Sequence, residues 1–342
     1  MNKNSLKALV RPLLKNVVSL RLLAEKKIGK RKRLADYDPS LEKDLDIVVH
    51  PAALPAIPKQ IWMFWAGSTL PSEIQAFVKK IARENPEYKL TVVNSVNLQQ
   101  FLPGLQFTRS DMLVAHKSDY IRLELLYRYG GIWMDATTIL NCSLDNFLSV
   151  NLNSRYDMVA FYRDVSTVDK NYPIIETWFM AAPPGNDFIK RWLHYFSPIM
   201  ELGAVEYFRQ LKSRPDYEQV VQRITDPGYL ILNIAQQLAL REYNQYNFYL
   251  RKCEANAFYY QRLVSWNAIQ LSRMMMVDSV PETLPPLIKL TGLERKFLAT
   301  NLKYGVVNKD SLIGGVIFAD QKQTLPNLPI SGGMPDNAAG SF

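Results

Sequence analysis

Cysteine is scarce in this chain of 342 residues: Cys142 and Cys253 are the two, far apart and without C-x-x-C spacing. That excludes a disulfide framework and a thiolate zinc site and suits a reducing compartment, so a cytoplasmic location is expected. An unbroken apolar run is also missing near the start, where Lys15 and Arg21 interrupt the hydrophobic stretch and no small-residue cleavage site follows. Neither a signal peptide nor a spanning helix is supported. Internal repeats and recognised nucleic-acid modules are absent too, so no nucleic-acid partner is expected.

Apolar residues are plentiful: at 48% hydrophobic, the chain can bury the core of one large α/β domain with additions. Positive charge is plentiful in one place only. Residues 1–35 hold eleven Lys or Arg against one Glu, so most of the net +9 belongs to this segment and the rest is near neutral. Pro12 suits a first helical position, and Leu13, Val17, Leu20 and Leu23 follow at helical spacing, with Lys15, Lys26, Lys27 and Lys30-Arg31-Lys32-Arg33 supplying charge. This predicts a basic amphipathic helix over 1–35 on an anionic membrane surface, peripheral at the inner face, or packed on the domain or a partner chain. Residues 36–56, with Pro39, Pro51 and Pro55, read as a linker, 57–330 as the main domain, and 331–342 as a flexible tail.

The densest signal lies between His116 and Leu140. Ser118 is a suitable N-cap, Asp119 falls in the expected first turn, and Ile121, Leu125, Leu126 and Tyr129 form an apolar face before Gly130 and Gly131 stop the helix. Ile132-Trp133-Met134 then makes a short buried strand ending in Asp135, and ligands bind at that carboxyl edge of open α/β sheets. Asp119 and Arg122 share a helix face, so with Asp135 they can line one crevice. Upstream, Ile61–Phe64 reads as a strand ending in Trp65-Ala66-Gly67, Pro71 opens a helix with Ile74, Phe77, Val78 and Ile81 on one face, and Tyr88–Val93 is the next strand. That unit implies parallel strands. Downstream, strands are expected at Met158–Tyr162 and Thr177–Ala182, a helix from Asp187, and mostly helical pattern from Glu201 to Tyr243. The aromatic-rich stretch Tyr243–Trp266 suits packing more than sugar stacking.

The segment S-D-Y-I-R…G-G-I-W-M-D-A-T resembles the donor-site motif S-D-x-x-R…G-G-x-Y-x-D-x-D of sugar transferases related to yeast initiating mannosyltransferase and the clostridial glucosylating toxins. Its G-G-x-W-x-D-A-T form is similar to bacterial capsular polysaccharide synthesis proteins. The resemblance covers residues 57–195 well and the remainder loosely. It implies a GT-A-like α/β fold, a mostly parallel sheet flanked by helices with a helical C-terminal portion. It further implies a retaining hexosyl transfer from a nucleotide-diphosphate donor, UDP-linked, to a glycan or lipid-linked glycan of a capsule or other surface polysaccharide. Carried over residue by residue, Trp65 stacks on the base, with Trp62 as competitor; Asp119 holds ribose or sugar hydroxyls, Arg122 contacts sugar or phosphate, and Trp133 matches the motif tyrosine. Lys289, in a short K-L-T match, approaches the diphosphate, and Glu176 with Trp178 lies on the acceptor side unless Glu176 is only an edge-strand charge.

A diphosphate leaving group calls for Mn²⁺ or Mg²⁺, with Asp135 as principal ligand and Thr137 in the second motif position. Thr137 replaces an acid there and is a poorer ligand for a hard cation. Two other classes fit less of the pattern. The D-A-T-T at Asp135 resembles the nucleophile loop of haloacid dehalogenase-like phosphohydrolases without its second acid, and the basic segment alone suits a non-enzymatic nucleic-acid or membrane adaptor.

Overall fold

The computed structural model describes residues 16–319 except 30, 52–53 and 152–153. Pro12, Leu13, Lys15 and Lys30 of the basic segment, and the 331–342 tail, lie outside these residues. Among the described residues the strands are β1 (Leu45–Ile47), β2 (Gln60–Phe64), β3 (Lys89–Val93), β4 (Gly131–Met134), β5 (Thr138–Leu140), β6 (Met158–Tyr162), β7 (Ile175–Ala182), β8 (Phe248–Lys252) and β9 (Leu287–Lys289). The first helices are α1 (residues 16–27), α2 (Ser72–Glu84), α3 (Leu98–Phe101), α4 (Val114–Tyr129), α5 (Leu144–Phe147), α6 (Asp187–Phe196) and α7 (Ile199–Lys212). They are followed by α8 (Tyr217–Val221), α9 (Ile231–Glu242), α10 (Tyr259–Leu263), α11 (Ala268–Met276), α12 (Gly292–Lys303) and α13 (Leu312–Ile317).

Seven strands form one sheet in the order β1-β8-β6-β7-β4-β2-β3, and β5 pairs with β9 in a second, two-stranded sheet. In the large sheet β2 is parallel to β3 and β4, β6 is parallel to β8, and only β7 and the edge strand β1 run the other way. This is the mostly parallel α/β arrangement expected. Alternation along the strands sends Ile61, Met63, Ile132, Met134 and Phe179 into one core and Trp62, Trp133, Met180 and Ala182 into the other. The first core is covered by α2 through Ile74, Phe77, Val78 and Ile81, as its spacing predicts. The second is covered by α4, α6 and α9, with Leu125, Trp192 and Ile234 fully buried.

The turn from α4 into β4 depends on two glycines. Gly130 and Gly131 have φ of +62° and +98°, which disfavours any side chain. A Cβ on Gly130 would stand 2.5 Å from the Pro184 backbone, and one on Gly131 2.5 Å from the Gln60 carbonyl oxygen. The helix begins earlier than its cap signal indicates: Leu113 is the N-cap, so Ser118 and Asp119 lie inside α4 rather than at its start. Burial explains the extension, because His116, at 0% exposure, packs inward and its Nε2–H donates to the Tyr229 carbonyl at 3.1 Å. Tertiary packing here outweighs the capping preference.

The basic segment is tied to the body. Val18 and Leu22 of α1 are buried against Val277, Phe297 and Val306, and Ser19 Oγ donates to Asn301 at 2.6 Å. Val17 and Leu20, from the expected apolar stripe, face outward, so the packed face is displaced from that stripe. Arg31 pairs with Asp310, and Arg33 with Glu282 at 2.8 Å. The proline-bearing stretch 36–56 is more than a tether, because it supplies β1, antiparallel to β8. Among the described residues, no helix is long and apolar enough to cross a membrane.

Candidate functional site

Asp135 leaves the sheet at the carboxyl end of β4, its N–H held by the Trp178 carbonyl at 2.9 Å. Arg122, reaching across from α4, bridges two carboxylates, with Nη1 2.9 Å from Asp119 Oδ1 and Nη2 3.3 Å from Asp135 Oδ1. Its guanidinium lies 4.8 Å from the Trp133 ring centroid, and the Trp133 indole N–H donates to Asp135 Oδ1 at 3.1 Å. The expected crevice of Asp119, Arg122 and Asp135 is therefore one connected group, with Trp133 as its floor.

Lys289 completes it. The β5–β9 pairing sets Thr138 opposite Lys289, which brings the ammonium 3.2 Å from Asp135 Oδ2. Lys289 Nζ also donates to Thr137 Oγ1 at 2.7 Å and to the Leu290 carbonyl at 2.8 Å. Thr137 Oγ1 in turn donates to that same carbonyl at 3.1 Å.

The two carboxylates respond differently. Burial pushes Asp135 up, but Lys289, Arg122 and the Trp133 indole more than offset it, leaving the carboxyl below its ordinary value. Burial pushes Asp119 up to about 6, against the pull of Arg122 and His116, with Asp135 adding to the rise. Tyr229, half exposed, has a phenol raised by burial and by the negative charges of Asp119 and Asp135, which places it beside the crevice. His116 and Tyr229 were not singled out in the sequence; a buried histidine and a loop tyrosine carry no local signal for such a position.

Trp65 is partly buried at the end of β2, its ring 5.3 Å from the Arg295 guanidinium. Trp62 is committed elsewhere: it is buried, and its indole N–H donates to the Gly130 carbonyl at 2.9 Å. Of the two tryptophans, Trp65 is the one with a ring partly open to solvent.

Glu176 faces a second charged group. Arg163 Nη1 lies 3.4 Å from Glu176 Oε1 and its Nε 3.4 Å from Glu254 Oε1. A cavity of about 80 Å³ adjoins them, lined by Arg163, Ser166, Glu176, Thr225 and Asn233 among others. Trp178 does not face that space: it is buried, its ring 4.6 Å from Phe161 in a tilted contact and 5.9 Å from Phe258 edge-on, because its position in β7 points it into the core. The aromatic at the surface is Trp266, 41% exposed, 5.1 Å from Phe258 and 4.9 Å from Arg163. Most of the Tyr243–Trp266 aromatics are core, including Tyr246, Phe248, Phe258, Tyr259 and Tyr260.

A divalent cation at Asp135 and Thr137 is tested by the donor set. Both Asp135 oxygens already receive cationic or N–H donors, and the Thr137 hydroxyl is used as donor and acceptor. A divalent cation here would have to displace Arg122 or Lys289 from the one carboxylate, and Thr137 brings no second charge, so the donor set does not fit a hard-cation site. Among the described residues no group of three His, Cys, Asp or Glu side chains gathers to hold a metal.

An α/β sheet with a charged crevice at the carboxyl end of its central strand defines the general class. The chain belongs to the capsular polysaccharide synthesis protein family, whose profile matches residues 37–270. It is 26% identical over 162 residues to O-glycosyltransferase braB of Annulohypoxylon truncatum, covering 42% of this chain and 38% of that protein. It is 25% identical over 251 residues to glycosyltransferase afumC of Aspergillus fumigatus, covering 61% of this chain and 63% of that one. The chain thus spans less than two thirds of either relative. Among solved structures it is similar to the PaToxG glycosyltransferase, with 13% identity, TM-score 0.33 and coverage of 90% and 98%. It is also similar to the UDP-bound glycosyltransferase domain of the YGT toxin, with 9% identity, TM-score 0.35 and coverage of 80% and 95%.

Proposed function

We propose that this chain is a glycosyltransferase that moves a hexose from a nucleotide-diphosphate donor, UDP-linked by the resemblance, onto a capsular or other surface glycan. The observation that carries the reading is the convergence of Asp119, Arg122, Asp135 and Lys289 at the carboxyl end of β4. Two cations held in fixed places by two carboxylates are an organised receptor for charge that grows on a leaving diphosphate, and such preorganisation is the main source of stabilisation in reactions of this kind. In this reading Trp65 stacks on the base, Asp119 accepts from ribose or sugar hydroxyls, and Arg122 and Lys289 face the phosphates. Glu176 receives the acceptor, with Trp178 behind it as support. Retention of the anomeric configuration is part of the proposal by resemblance.

A haloacid dehalogenase-like hydrolase is not favoured, because its nucleophilic aspartate must be free to attack and Asp135 is held on both oxygens. An adaptor working through its basic segment is not favoured either, since Arg31 and Arg33 are already paired with the body. A seat on an anionic membrane through the outward face of α1 is a separate proposal, read as vesicle binding that salt screens.

The test is release of nucleoside diphosphate from a panel of nucleotide sugars. Wild type should turn over at least one donor, and a folded Asp135→Asn variant should lose about 1000-fold, since it removes the one carboxylate shared by Arg122 and Lys289 and leaves buried charge unbalanced. No turnover and no UDP binding by wild type would sink the reading.

A further inference from the structure

In a D-x-D site a divalent ion is held between two carboxylates. Here the second acid is Thr137, and the space between Asp135 and Thr137 is taken by a cation that belongs to the chain. Lys289 Nζ touches Thr137 Oγ1 at 2.7 Å, the Leu290 carbonyl at 2.8 Å and Asp135 Oδ2 at 3.2 Å. An ammonium has three donors, and these three acceptors take them all.

Two changes compensate each other. Two carboxylates with a divalent ion sum to zero charge, and so do one carboxylate and one ammonium. Exchanging the second acid for threonine while bringing in Lys289 keeps the local charge and removes the reason for a metal. We propose that the Lys289 ammonium takes the place of the divalent cation, so that this chain handles a nucleotide-diphosphate leaving group without metal. The proposal rests on the glycosyltransferase reading given above.

The chemistry balances without a further reactant. The bond from the anomeric carbon to the β-phosphate oxygen breaks, and its electron pair stays on that oxygen. The acceptor hydroxyl oxygen bonds to the anomeric carbon, and its proton passes to the departing diphosphate. Lys289 meets the charge left on the phosphate. Its contact to Asp135 is the longest of the three, so it is the one a phosphate oxygen takes over. Asp135, with a side chain 28% exposed against 10% for Lys289, is where the group opens to a ligand. Arg122, on the other Asp135 oxygen, supplies the second positive charge.

A purely structural lysine would be equally buried and equally bonded, so the experiment must separate the two. UDP binding by calorimetry and donor turnover are measured in chelator and in Mn²⁺ for wild type, Lys289→Met, Lys289→Arg and the double variant Lys289→Met with Thr137→Asp, each checked for folding by its melting curve. Wild type should bind UDP and turn over donor equally well in both conditions. Lys289→Met should lose about 100-fold in turnover in chelator, as for loss of one charge-stabilising donor, and Lys289→Arg should keep more. The double variant, with two carboxylates and no ammonium, should recover in Mn²⁺ and not in chelator. Wild-type activity confined to Mn²⁺ would overturn this proposal and leave the glycosyltransferase reading standing. Folded Lys289→Met with wild-type turnover and UDP affinity would also overturn it. Absence of turnover and of UDP binding in both conditions would overturn both.

Discussion

Two charged groups flank the carboxyl edge of the central strands, and they differ in balance. In the first group, Asp135 faces two cations, Arg122 and Lys289, and is held below its ordinary value once they outweigh its burial. In the second group one guanidinium, Arg163, serves both Glu176 and Glu254 at 3.4 Å each, so two carboxylates share a single cation. Burial then pushes Glu176 up, with Glu254 adding to the rise and Arg163 and Lys289 opposing it. The first group is closed on itself, with its two cations matched by two carboxylates. The second has longer contacts and an adjoining cavity, which suits exchange of hydrogen bonds with incoming hydroxyls. Asp135 and Glu176 are thus shifted in opposite directions because Asp135 has two cations beside it and Glu176 shares one with Glu254.

The larger effect is expected at Trp65, on the proposed donor side. Trp65→Ala should weaken UDP binding by about 1–3 kcal/mol, the usual cost of losing an aromatic platform under a base, while leaving the acceptor KM unchanged. Isothermal titration with UDP checks it; unchanged affinity in a folded variant would remove Trp65 from the donor side, and a raised acceptor KM would blur the division between the two groups.

A smaller effect should follow from pH. Asp119 is raised to about 6 from an ordinary value of 3.8, so the folded state binds its proton more readily than the unfolded chain. Its contribution to stability is therefore fully present below the ordinary value and is lost as pH rises through about 6. In the proposed reading activity runs the other way, since there the ionised carboxylate holds Arg122 and accepts from the donor. The donor kcat/KM should climb with pH through a limb near 6, and Asp119→Asn should lie flat at the low level, whereas Glu176→Gln should keep the limb. A limb that survives in Asp119→Asn would assign it to another group.

What could be read from sequence was local. The α4–β4 unit announces itself because a helical face, two glycines forced into positive φ and an acidic strand end are contiguous, and side chains three apart on a helix must share a face. Lys289 was legible only through a three-residue resemblance, since the pairing of two three-residue strands 147 or more positions apart in the chain leaves no periodic trace. The start of α4 was misplaced because burial of His116 is a tertiary effect. Trp178 was placed on the acceptor side by resemblance alone, and its direction could not be read, since on a strand buried on both faces it depends on register, which the apolar run of β7 does not reveal. Arg163 and Trp266 were invisible for a related reason: Trp266 reaches the surface through two consecutive left-handed residues, Ser265 at φ +48° and Trp266 at φ +61°, a conformation with no residue-type signature.

The division of labour between the two groups is tested most directly by measuring donor hydrolysis without acceptor alongside transfer with acceptor, in Asp135→Asn and Glu176→Gln. Asp135→Asn should lose both reactions together, because each requires charge to be met on the leaving diphosphate. Glu176→Gln should hydrolyse donor within about threefold of wild type and lose at least about tenfold in transfer, since one hydrogen bond to an acceptor hydroxyl is at stake. Equal losses of hydrolysis and transfer in Glu176→Gln, or donor hydrolysis that survives in folded Asp135→Asn, would contradict the account.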